Sequence, residues 1–110
     1  MKLPNSQNAL VSKDKLENYL LPEIHPIGRA KAVFFKNLGY DDSDTDILAN
    51  ALLSIAQQED VSDIQPSEFG TKYVIEGMIQ TPGGATTAMR TVWIIEQDNP
   101  QPRLVTAYPA

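Results

Sequence analysis

The sequence predicts an α+β domain in which three N-terminal helices pack on a C-terminal antiparallel sheet of three or four strands. Two observations favour this class. Apolar residues recur at helical spacing in the first half of the chain, whereas β-branched and aromatic residues dominate two runs after Gly70. With 110 residues, the chain has room for one hydrophobic core. We therefore expect a single domain over residues 1–110.

The first two helices are marked by residues that start and stop helices. Helix one is predicted over residues 12–21, because Ser12 can cap its N-terminus and Pro22 cannot continue it. Helix two is predicted to start at Pro26 and to end before Gly39, a residue type that suits the position past a helix end. One arc of helix two holds Ile27, Lys31, Phe34, Phe35 and Leu38.

A third helix is predicted after an acidic segment. Ser43 and Asp46 approximate a capping box, and the helical spacing of apolar residues continues to about Gln57. The aspartates of residues 41–46 leave a calcium loop as the alternative, although the glycine and the terminal glutamate of an EF-hand are missing. Residues 59–67 are predicted to form a polar linker. The core-facing positions of the third helix are Leu48, Ala51, Leu52 and Ile55.

Two runs, Thr71–Gln80 and Thr86–Glu96, are predicted to form a β-hairpin. They are rich in β-branched and aromatic residues, and a Gly-rich segment joins them. A turn centred on the Gly-Gly pair at 83–84 would place Gly77 opposite Arg90. We therefore expect space beside the Arg90 guanidinium, on the side where the partner strand has no side chain.

A last strand is predicted over Arg103–Tyr108, after a linker at residues 100–102 that holds two prolines. By adjacency it should pair with the second hairpin strand. Thr106 and Tyr108 would project from one side of it together with Leu104. The two polar side chains are candidates for proton transfer. Because threonine and tyrosine favour strands, a purely structural role is the alternative.

The composition excludes several kinds of site. The chain has no cysteine and one histidine, so thiolate catalysis, disulfides and clusters of imidazole ligands are excluded, and we predict neither a cofactor nor a metal. The net charge of −5 argues against broad wrapping of nucleic acid, although residues 25–38 are locally cationic. No apolar run is long enough for a membrane span or a signal peptide, so we expect a cytoplasmic location.

Three charged or titratable side chains stand in unusual positions. Lys31 lies inside an apolar stripe, so its ammonium needs an anion at its tip or must reach solvent along its methylenes. Arg90 lies in the middle of a strand and would bind either phosphate or an acid on a neighbouring element. His25 precedes a helix start, which favours the neutral imidazole of a general base, or it caps the backbone there.

These side chains are compatible with one reaction in particular. Cleavage of RNA by its own 2′-hydroxyl needs only a base, an acid and cations around the phosphate. We hypothesise that Lys31 and Arg90 hold the phosphate, and that His25, Thr106 or Tyr108 assists proton transfer. A non-catalytic module that binds a protein partner is the alternative, in which the same cations are structural.

Five segments stand out together, and they are Lys2–Asn5, His25–Ala32 with Phe35, Phe69–Tyr73, Arg90–Trp93 and Arg103–Pro109. With these segments the chain resembles an uncharacterised bacterial domain family of about this length. Members of that family occur alone and in phage-associated and toxin-like proteins, and the resemblance brings no established activity with it. More distantly, helices followed by a sheet that ends in Thr106-Ala107-Tyr108-Pro109 are similar to the barnase, colicin and EndoU ribonuclease toxins, by analogy of fold.

Overall fold

The computed structural model describes residues 1–11, 45–84 and 86–109 of the chain. In this part the four strands form one antiparallel sheet in the order β1-β2-β3-β4. A short 3-10 helix, Ser6–Asn8, lies in the N-terminal segment. The helix and the strands are α1 (Thr45–Gln58), β1 (Val61–Ser67), β2 (Gly70–Gln80), β3 (Thr86–Glu96) and β4 (Asn99–Pro109).

The predicted fold class is wrong for the described residues. They form mostly antiparallel sheet with a single α-helix and a 3-10 turn, rather than three N-terminal helices on a sheet. The predicted helices over 12–21 and 26–38 lie outside the described residues, as do residues 41–44 of the acidic segment. The third predicted helix is present as α1. It ends at Gln58, one residue beyond the expected end.

Two segments that we predicted as linkers are strands. Residues 59–67 contain β1, an edge strand of the described sheet. The sequence does not indicate this strand, because an edge strand needs few apolar residues and tolerates proline. Residues 100–102 belong to β4, and Pro102 is fully buried there. The carbonyl of Pro102 accepts a hydrogen bond of 2.8 Å from the N–H of Leu10, so the proline takes part in backbone pairing as an acceptor.

The register of the central hairpin differs from the prediction by one residue. Gln80 pairs with Thr86, and Arg90 therefore faces Glu76 instead of Gly77. The physical reason lies in the loop, where the N–H of Gly84 donates to the carbonyl of Thr81 at 2.9 Å. This contact closes a four-residue turn over residues 81–84. Because Gln80 pairs with Thr86, the pairing is centred on Gly83 instead of between Gly83 and Gly84, as we expected.

The hydrophobic core lies between α1 and one face of the sheet, which we name the inner face. Leu52 of α1 and Trp93 of β3 are fully buried there. Gly77 also faces α1, and a Cβ atom at this position would lie 3.1 Å from Ile55 Cγ1. The glycine therefore allows close approach of helix and sheet. The buried apolar residues of this cluster are Leu3, Leu48, Leu52, Ile55, Ala56, Ile75, Ile79, Met89, Trp93, Leu104 and Ala107.

A buried threonine hydroxyl links two strands inside this core. Thr91 Oγ1 donates to the carbonyl oxygen of Ile75 at 2.8 Å and accepts from Trp93 Nε1 at 2.8 Å. Replacing Thr91 with valine keeps the shape but leaves the indole N–H without this acceptor. We expect the free energy of unfolding to fall by about 1 to 3 kcal/mol, the cost of an unsatisfied buried polar group.

Urea unfolding of the Thr91→Val variant tests this expectation. Thr86→Val is the matched control, because Thr86 is exposed on the same strand and its change should leave the unfolding midpoint within experimental error. Equal midpoints for both variants would show that the hydroxyl of Thr91 contributes nothing.

The N-terminal segment protects the β4 edge of the sheet. Leu10 forms a parallel bridge with β4 at Arg103, and its carbonyl accepts from the N–H of Leu104 at 3.0 Å. Leu3 anchors the segment in the core, where it is 2% exposed. The edge at β4 is thus partly paired, whereas β1 forms the other edge of the described sheet.

Candidate functional site on the outer face of the sheet

The candidate site lies on the outer face of the sheet, the face opposite α1. Glu76, Arg90 and Tyr108 occupy neighbouring register positions on β2, β3 and β4. Because cross-strand neighbours in an antiparallel sheet project to the same side, their side chains form one row across three strands. The row places a carboxylate, a guanidinium and a phenol next to one another.

The centre of the row is an ion pair. Arg90 Nε donates to Glu76 Oε1 at 2.9 Å, and Arg90 Nη2 lies 2.8 Å from the same oxygen. The side chains are 39% and 43% exposed, so solvent reaches both. Since an arginine has five N–H donors, this pairing leaves donors of Arg90 for a further anion.

Tyr108 supports Arg90 from the other side. The Arg90 Cζ atom lies 5.8 Å from the centre of the Tyr108 ring. The pKa of Arg90 is raised above its ordinary value, first by the hydrogen bond to Glu76 and then by a hydrogen bond to Tyr108. Arg90 therefore keeps its positive charge throughout the physiological pH range, so it can bind an anion but does not transfer a proton.

A shallow hollow of about 290 Å³ lies over the row. Val74 forms an apolar part of its lining, and it is 8% exposed. The remaining lining side chains carry hydroxyl, carboxylate, amide or guanidinium groups, which can bind a polar ligand. The lining residues are Ser62, Asp63, Gln65, Val74, Glu76, Arg90 and Tyr108.

Thr106 lies one row from Tyr108 on the same strand. It pairs with Val92, whose side chain shares the outer face with Arg90. The expected companion Leu104 is on the other face, because a bulge between the partners of Val92 and Trp93 shifts the alternation of β4. Leu104 is 5% exposed and belongs to the core, so the prediction that it shares a side with Thr106 is wrong.

The structure brings three of the five predicted site residues onto one face. Arg90, Thr106 and Tyr108 lie on the outer face, whereas His25 and Lys31 lie outside the described residues and their roles stay predictions. The structural alternative for Arg90, an ion pair with an acid on a neighbouring element, is observed. Sequence reasoning missed Glu76, which a register shifted by one residue would have placed opposite Arg90.

The described part of the chain lacks two kinds of feature. Within residues 1–11, 45–84 and 86–109, no three side chains of His, Cys, Asp or Glu are arranged to hold a metal ion. No helix of the same residues has the length and apolar character of a membrane span.

The fold is similar to that of a known bacterial complex. A chain of the contact-dependent growth inhibition toxin–immunity protein complex from Klebsiella pneumoniae 342 superposes with a TM-score of 0.71 and 18% sequence identity. The match covers 94% of this chain and 95% of that chain. At this identity the likeness concerns the fold alone.

The sequence itself was compared with curated proteins and with family models. No curated protein matches the chain. A family model described as a domain of unknown function, DUF6883, matches residues 2–110. The expected resemblance to an uncharacterised domain family is therefore confirmed, while its phage association stays a prediction. Because the match spans nearly the whole sequence, the chain belongs to the DUF6883 family.

Proposed function

We propose that this domain acts in a toxin–immunity system as an RNA-cleaving unit, and that it binds the scissile phosphate on the outer face of the sheet. The observation that carries the proposal is the row of Glu76, Arg90 and Tyr108 beside a polar hollow. The likeness to a chain of a toxin–immunity complex supports the association with such a system.

The row contains the groups that RNA transesterification requires. Glu76 takes the proton from the 2′-hydroxyl, whose oxygen then attacks the adjacent phosphorus. Donors of Arg90 outside the Glu76 pair bind the phosphate oxygens as negative charge develops on them. Tyr108 gives its proton to the leaving 5′-oxygen. The products are a 2′,3′-cyclic phosphate and a 5′-hydroxyl, and water restores the protonation of both side chains.

The other predicted residues have places in the same proposal. Thr106, on the neighbouring row of the outer face, can donate a hydrogen bond to a phosphate oxygen. Lys31 remains the proposed second cation and His25 a second candidate for proton transfer. The roles of these two residues are predicted from the sequence alone.

Incubation of the purified domain with transfer RNA tests the proposal. We expect fragments that end in 2′,3′-cyclic phosphate, and we expect Glu76→Gln or Arg90→Gln to lower the cleavage rate about 100-fold, as for loss of one group that stabilises a transition state. The measurements are the initial rate and the chemistry of both new ends. Circular dichroism confirms that each variant is folded.

The chain offers a matched control for these variants. Arg103 and Glu96 form a second arginine–glutamate pair between β3 and β4, away from the hollow. Glu96→Gln and Arg103→Gln should leave the cleavage rate within about twofold of the native domain, because exposed substitutions away from a site have small effects. Equal losses in both pairs would point to a general effect of charge and contradict the assignment of the row.

The alternative is a non-catalytic module that binds a protein partner. It is favoured by the fact that a similar solved structure is a complex of a toxin with its immunity protein. Intact transfer RNA after long incubation with the folded native domain would contradict the enzyme and leave this alternative.

A further inference from the structure

Among the described strands, β1 forms an edge of the sheet. Of the described strands β1 has one neighbour, β2, whereas the far edge at β4 is partly paired with Leu10. All residues from Ser62 to Ser67 are exposed. Proteins usually protect such an edge with lysine, a bulge or a covering segment, because its unpaired backbone groups invite another strand.

The protection of β1 is incomplete. A bulge near Val61 interrupts the pairing with β2, and the carbonyl of Met1 accepts the Val61 N–H at 2.7 Å. At the other end Pro66 lacks an N–H. Residues 62–65 lie between these two points, and no lysine or arginine occurs between residues 41 and 69. Among the described residues, a short stretch of β1 backbone is thus left without a neighbouring strand, and β1 itself contains no basic residue.

Apolar side chains accompany the open backbone. Ile64 in the middle of β1 is 41% exposed, and Phe69 in the turn after β1 is 73% exposed. Glu68 lies beside Phe69 in that turn, and Asp63 lies beside Ile64. Two apolar anchors with carboxylates next to them are complementary to a strand in which apolar and basic residues alternate.

We propose that β1 is a docking edge, to which an extended segment of a basic partner protein adds as a further strand. Backbone hydrogen bonds over residues 62–65 supply the register, and contacts with Ile64 and Phe69 supply apolar area. A second copy of this chain is the less favourable occupant, because two β1 strands side by side would bring Asp63 and Glu68 close to the same acids of the copy.

This inference does not depend on RNA cleavage. Side chains of β1 line one side of the hollow, whereas the docking edge uses the β1 backbone, Ile64 and the turn after the strand. Ile64 pairs with Tyr73, which packs against the inner-face core, so Ile64 is not part of the hollow. A domain without RNA cleavage can therefore still bind a strand at β1.

The test uses a peptide of about eight residues in which lysine and valine alternate, a length typical of one strand. Its binding to the nitrogen-15-labelled domain is followed by NMR. We expect shifts confined to residues 61–75 and slower hydrogen exchange at the Ile64 amide. The matched peptide, with glutamate in place of lysine, should cause no such change. Shifts spread over the whole acidic surface, or equal binding of both peptides, would overturn the proposal.

Variants outside the hollow sharpen the test. Ile64→Lys should lower the affinity of the lysine–valine peptide for the domain about tenfold, because a lysine both blocks the edge and repels the basic peptide. Met78→Lys is the matched control, since Met78 is 60% exposed on β2 beyond the residues that pair with β1. Equal weakening by both variants would overturn the proposal.

Light scattering distinguishes a second copy of this chain from a basic partner protein as the occupant of the edge. The native domain is expected to stay monomeric as its concentration rises. A dimer that Ile64→Lys abolishes would overturn the basic partner in favour of a second copy.

Discussion

Replacing Gly70 with alanine is expected to destabilise the domain by about 3 to 5 kcal/mol, which combines backbone strain with overpacking. Gly70 begins β2 with a φ of +151°, a conformation that residues with a side chain rarely adopt. A Cβ atom there would lie 2.5 Å from the carbonyl oxygen of Ile95 and 2.8 Å from the Cα of Glu96. Both atoms are backbone of the paired strand, so they cannot move without disturbing the sheet.

Gly84→Ala separates the two causes. Gly84 also has a positive φ, 89°, but a Cβ atom would meet nothing within 4 Å. Its substitution should therefore cost only the strain, about 1 to 2 kcal/mol. Urea unfolding of both variants gives the comparison. If Gly70→Ala lowers the free energy of unfolding no more than Gly84→Ala does, the result contradicts a close approach of β2 to β3 at this position.

Truncation of Trp93 is expected to have the second large effect. The indole is fully buried beneath α1 and donates to Thr91 Oγ1 at 2.8 Å. Trp93→Ala removes this hydrogen bond and leaves a large cavity, so we expect a loss of about 3 to 5 kcal/mol in the free energy of unfolding. For a domain of this size such a loss is a large part of the total stability.

Phe69→Ala is the control for Trp93→Ala, because the same kind of truncation is made where the ring is 73% exposed. Its unfolding midpoint should stay close to that of the native domain. Combining Trp93→Ala with Thr91→Val tests the hydrogen bond itself, since coupled residues give less than additive losses. Additive losses would contradict an energetic link between the two side chains.

The central hairpin shows which features the local sequence pattern can predict. The predicted strand Thr86–Glu96 is found with the same bounds, and Thr71–Gln80 is found one residue longer at its start. Alternation along a strand is a local property, so Arg90 shares a face with Val92 whatever the register of the hairpin. The partner of Arg90 was wrong, because register depends on how the loop closes.

The edge strand shows where local pattern fails. Residues of β1 such as Asp63 and Pro66 are typical of a linker, and nothing in their own composition indicates a strand. They are extended because β2 offers a row of backbone partners, which is a property of the assembled sheet. The acid that pairs with Arg90 was missed for the same reason, since Glu76 becomes its neighbour only through that register.

By itself the sequence determined where α1 and the two long strands lie, because the period of apolar residues reports local conformation. It also identified Arg90 as a side chain in need of an anionic partner. Only the tertiary structure decided that Glu76 is that partner and that Tyr108 completes the row, because both contacts join strands whose register is set by loops and core packing.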